Sequence, residues 1–115
     1  MRKYAYLKEP LMRDGERPVC KVMMHDTGDG VYLYEYDSPD AVFCCADLFY
    51  ASEEDVHEEW DGLIEDRTWI GIGDPLPGCQ QDAFLPIRVK GREEGKPEWG
   101  RFEILKDGEW AEFVP

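Results

Sequence analysis

Short runs in which apolar and polar residues alternate, separated by Gly, Pro and Asp, recur along most of this chain. That is the signature of a mainly β protein. Residues 3–8 and 18–25 read as strands, and Asp26-Thr-Gly-Asp-Gly30 as a turn whose two glycines can take positive φ. The next strand runs from Val31 to Asp37. Its pleat sends Tyr32, Tyr34 and Tyr36 to one face and Val31, Leu33 and Glu35 to the other. Ser38-Pro39-Asp40 closes it. Residues 41–50 are the most apolar run, and their β-branched and aromatic content predicts a central strand.

The period changes once. Val56, Trp60, Leu63 and Ile64 follow i, i+4, i+7, i+8 spacing and predict an amphipathic helix over 53–65. Ser52 is a suitable N-cap, and Glu53, Glu54 and Asp55 fill the first turn, where the helix dipole favours negative charge. Glu54, Glu58, Asp61 and Glu65 lie off the apolar stripe and are expected to face water. Gly62 weakens the last turn.

Beyond the helix, 67–73 reads as a strand and Asp74-Pro-Leu-Pro-Gly78 as a stiff loop. Residues 83–90 read as a strand in which Pro86 implies an edge or bulge, and 91–97 as a charged turn. Residues 99–106 and 109–114 form a hairpin about Asp107-Gly108, the strongest turn signal present. The predicted fold is α+β: one globular domain over 1–115, with about seven or eight largely antiparallel strands, curled or barrel-like, and one inserted helix.

Charge sharpens this picture. Between Lys21 and Arg67 lie 45 residues with 14 carboxylates and no Lys or Arg, whereas the rest of the chain carries 12 acids against 13 basic residues. The net charge of -13 is therefore concentrated in one stretch, which bears on partners rather than on fold. It argues against nucleic-acid binding and against docking on anionic lipid, both of which need a basic face. No apolar run is long enough for a signal-peptide core or a membrane span, so the expected location is cytoplasmic. The 13% aromatic content argues for a packed core rather than disorder.

Candidate chemistry is sparse. Cys44, Cys45, Cys79, His25 and His57 supply metal-binding atoms but show no ligand spacing, so neither a metal nor a cofactor is expected. At least one of Cys44 and Cys45 is expected in the core. The Asp26–Gly30 turn lacks the order of a calcium loop. Gly71 and Gly73 precede Asp-Pro rather than a helix, so they do not cradle phosphate; they are expected to let a neighbour pack closely. Cys79 lies in a Gly/Pro-rich loop and is the thiol expected to be exposed, but Asp74 and Asp82 beside it would not activate it.

Two functional readings from different classes follow. In the first, Tyr32, Tyr34 and Tyr36 with Glu54, Glu58 and Asp61 form an interaction surface for a basic protein, with Glu35, Asp37 and Asp40 adding long-range attraction. In size, acidity and aromatic content the chain resembles the small cytoplasmic immunity proteins that neutralise bacterial toxins, a likeness that covers no motif and carries over no residue. In the second, Trp69, Asp74, Cys79, Gln80 and Asp82 of the 69–82 segment form a small-molecule site or a modest active site. The late basic residues Arg88, Lys90, Arg92 and Lys96 add a third expectation, self-association of acidic and mixed faces.

Overall fold

The computed structural model describes residues 1–13 and 15–115. Among these residues there are eight strands and one short α-helix, and their strand pairs are all antiparallel. These strands form two separate sheets, and no closed or curled barrel is found among the described residues. The chain groups into two compact units, Met1–Asp74 and Pro75–Pro115.

The first unit is a five-stranded sheet of order β4-β3-β2-β1-β5, made of β1 (Arg2–Arg13), β2 (Arg17–Asp26), β3 (Val31–Tyr36), β4 (Ala46–Tyr50) and β5 (Ile70–Ile72). β1 runs past the expected end at residue 8. Between Tyr6↔Lys21 and Leu11↔Val19 it advances five residues while β2 advances two. This bulge accommodates Pro10, whose missing N–H would break a regular ladder. It also accompanies a bridge from Leu7 to Ile64.

The helix α1 (Glu53–Trp60) begins as expected: Ser52 is extended (φ -151°), and its hydroxyl accepts from the Asp55 N–H at 3.3 Å. It is shorter than predicted. Asp61–Leu63 tightens into a 3-10 turn, and Ile64 is already extended. The shortening rotates Leu63 off the stripe, leaving it 40% exposed while Val56, Trp60 and Ile64 are buried. These three pack with Ala5, Leu7, Val19, Val22, Met24, Val31 and Leu33 as the core of this unit. An eight-residue helix is unstable alone, so this packing holds it.

The central-strand expectation for 41–50 fails. Only Ala46–Tyr50 is strand, and it is an edge strand with Asp47, Leu48 and Phe49 exposed. Apolar content cannot separate a buried central strand from an edge; the charge of Asp47 inside the run was the relevant signal.

The second unit is a three-stranded meander of order β6-β7-β8: β6 (Ile87–Val89), β7 (Phe102–Lys106) and β8 (Glu109–Phe113). The strand expected over 83–90 is confined to three residues. Asp107 (φ 52°) and Gly108 (φ 81°) both take the left-handed conformation, which matches the right-handed twist of the hairpin they join. Arg88 lies over the Trp110 ring, 3.6 Å from its centroid, and pairs with Glu103.

Candidate functional site

The expected interaction patch divides at the β3 pleat. Val31 and Leu33 face the helix, so Tyr32, Tyr34 and Tyr36 occupy the opposite face of the sheet from the helix acids. Tyr34 and Tyr36 are buried and Tyr32 is half-buried. The Tyr36 hydroxyl donates to the Met23 sulfur at 3.8 Å, and the Lys21 ammonium lies over its ring. Burial lowers the Lys21 pKa, with Asp40 opposing the shift. The tyrosines and helix acids therefore do not form one patch.

Glu35 does not supply outward attraction. It is 2% exposed and accepts from Arg13 at 2.8 and 3.1 Å and from Arg17 at 3.5 Å. A carboxylate at that depth is held only because cations answer it. The Glu35 hydrogen bond raises the Arg13 pKa, against the opposing effect of burial.

On the helix, Glu54 and Glu58 are exposed, as expected, together with Asp55 and Glu59. Asp61 is different: it is half-buried and receives the indole N–H of Trp69 and Nδ1 of His57, each at 2.8 Å. Burial alone would raise its pKa, but the Trp69 and His57 hydrogen bonds outweigh that and hold the carboxyl below its ordinary value. At the other end of this face, the Trp60 indole N–H donates to the Tyr50 hydroxyl at 2.9 Å, and that hydroxyl donates to Glu59. Burial and the Glu59 carboxylate push the Tyr50 pKa up to about 12.

The residues of the 69–82 segment belong to both units. Trp69 and Asp74 belong to the first unit; Cys79, Gln80 and Asp82 belong to the second. Asp74 is exposed and pairs with the N-terminal ammonium at 2.9 Å, which lowers its pKa. Cys79 is buried (6% exposed), contrary to the expectation that it would be the accessible thiol. Its backbone N–H donates to the Leu76 carbonyl at 2.9 Å, closing a turn. The core placement expected for Cys44 or Cys45 is likewise not found: Cys44 is half-buried and Cys45 exposed, both ahead of β4. A Cβ at Gly71 or Gly73 would meet open space, so close packing does not account for those glycines.

Among the described residues, no group of three or more His, Cys, Asp and Glu is placed to hold a metal ion, and no helix is long and apolar enough to cross a membrane. A cleft of about 420 Å³ between the 26–30 turn and the start of α1 is lined by Asp26, Glu53 and Glu54 with small residues. Apolar ligand pockets are built differently.

Sequence reasoning missed Phe49. Its ring is 59% exposed, stands edge-on to Tyr32 at 5.1 Å and covers Gly30. A Cβ on Gly30 would lie 2.2 Å from the Phe49 Cζ. Gly28 (φ 90°) alone carries the positive φ of the turn; Gly30 instead seats this ring. Tyr32 also stacks parallel to Tyr34 at 6.3 Å, so Tyr34, Tyr32 and Phe49 form a row leading to the sheet edge. Compared with protein-family models, curated proteins and solved structures, the chain has no match.

Proposed function

We propose that this protein is an acidic interaction module of the cytoplasm that binds a basic protein partner. One observation carries the reading. Glu54, Asp55 and Glu58 project from the exposed face of α1, and no cationic side chain among the described residues lies within ion-pair distance of them. Carboxylates left without internal partners are available to an external cation, and such fields mainly raise association rate and specificity. The first unit holds 18 carboxylates against 7 Lys and Arg, the second 8 against 6, so the field belongs to the first. Occlusion of a cationic toxin, as in the immunity proteins, is one role such a surface would serve. The small-molecule reading has weaker support, because Trp69 and Asp74 already have partners and the Cys79 thiol is buried.

The test is capture from the native host at low and physiological salt, followed by affinity measurement on the purified partner. Glu54→Lys/Glu58→Lys is expected to weaken a basic partner at least tenfold without loss of fold. A Kd unchanged in that variant removes the helix face from the interaction and this reading with it.

A further inference from the structure

We propose that β4 is the docking edge for that partner, taking an extended basic segment of it as a sixth strand of the sheet. The inference rests on the acidic-module reading and adds the mode of recognition. β4 ends the order β4-β3-β2-β1-β5, so one side of its backbone faces no other strand among the described residues. Such an edge is a template for another chain, and proteins ordinarily guard it with charged side chains, Pro, a bulge or a very short strand. The opposite edge, β5, has that last guard: it is three residues long with Gly71 at its centre. β4 is five residues long, contains neither Lys nor Pro, and has Asp47 as its one charged side chain, which repels an acidic strand but not a basic one.

The side chains agree with the backbone. Phe49 and Leu48 are 59% and 37% exposed, and Phe49 stands on Tyr32 and Gly30 as a fixed aromatic surface beside the edge. Strand addition draws affinity from the main chain and specificity from alternate side chains. On this face the alternate positions of an added strand would meet Asp47 and Phe49, a carboxylate and a ring that both favour Lys or Arg. Asp37 and Asp40, exposed in the β3–β4 connection, extend the same preference. Charge also selects against a second copy: pairing β4 with β4 would bring together two 45-residue windows carrying 14 carboxylates each and no Lys or Arg.

The experiment uses the full chain and three labelled nine-residue peptides at physiological salt. One alternates Lys with Val and Thr; one carries Glu in place of Lys; one keeps the lysines but has two prolines. Fluorescence anisotropy gives affinity, and amide hydrogen exchange locates the site. The lysine peptide is expected to bind at least tenfold tighter than either control and to slow exchange within Ala46–Tyr50. Asp47→Lys and Phe49→Lys, both at exposed positions, should each cost at least tenfold while circular dichroism stays unchanged.

Equal binding of the proline peptide, or protection confined to residues outside β4, overturns edge docking while leaving the acidic module standing. Binding of the lysine peptide no tighter than the glutamate peptide overturns both. A dimer of the protein alone, seen by sedimentation and broken by Phe49→Lys, assigns the edge to a second copy and overturns the proposal.

Discussion

Replacing Trp60 by Ala tests whether the helix is held by its buried face. Trp60 is 1% exposed and lies in the cluster with Val56, Ile64 and the sheet residues Val31 and Leu33. Truncation to Ala exposes or empties about 200 Å² of apolar surface, worth about 5 kcal/mol at ~25 cal/mol per Å². A compact unfolded state already buries roughly 10–40% of such area, which brings the figure to about 3–4.5 kcal/mol. Large-to-small changes of this kind cost about 3–5 kcal/mol when the cavity is included. Trp60→Phe separates packing from hydrogen bonding, since it keeps most of the ring while removing the N–H that reaches Tyr50. That variant should lose about 1–2 kcal/mol. Urea unfolding followed at 222 nm reads both, and with a slope of roughly 1–3 kcal/mol/M the Ala midpoint falls by at least about 1 M. A loss below about 1 kcal/mol for Trp60→Ala, the scale of an ordinary substitution, would refute the helix-face assignment. Equal losses for Phe and Ala would instead place the energy in the indole hydrogen bond.

The Tyr50 hydroxyl should ionise well above the ordinary tyrosine range, at about 12. Because its folded pKa is raised above the unfolded value of about 10, its contribution is complete below pH ~10 and is lost as pH rises toward 12. Tyrosinate absorbance of the protein minus that of Tyr50→Phe checks this, and a difference titrating near 10 would contradict the Trp60–Tyr50–Glu59 arrangement. Gly30→Ala should cost about 1 kcal/mol, because the new methyl meets the Phe49 ring at 2.2 Å and displaces it. The same change in a Phe49→Ala background should be close to neutral in thermal unfolding, and an equal cost in both backgrounds would show that Gly30 is not there for the ring.

Elements whose signals are local can be read from residue order alone. Ser52 caps its helix, the alternation of 31–36 makes a strand, and Asp107-Gly108 makes a hairpin, each through forces acting within a few residues. The sequence also determined that the acidic field lies in the first part of the chain, since charge is counted rather than folded. What it left open was which side of each element faces which neighbour. Glu35 reads as one more acid in an acidic window, yet Arg13 and Arg17, 22 and 18 residues away, hold it as a buried carboxylate between two half-buried guanidinium groups. Asp61 reads as solvated, yet Trp69 and His57 converge on it after the helix tightens into a 3-10 turn. Cys79 reads as an exposed loop thiol, yet it is buried. The apolar run 41–50 reads as central, yet the strand order places it at the margin, with no further strand beyond it among the described residues. Periodicity reports that a face exists, and residue type reports what it prefers to touch. Only the tertiary structure sets strand order and side-chain partners, because those depend on contacts between residues far apart in the chain.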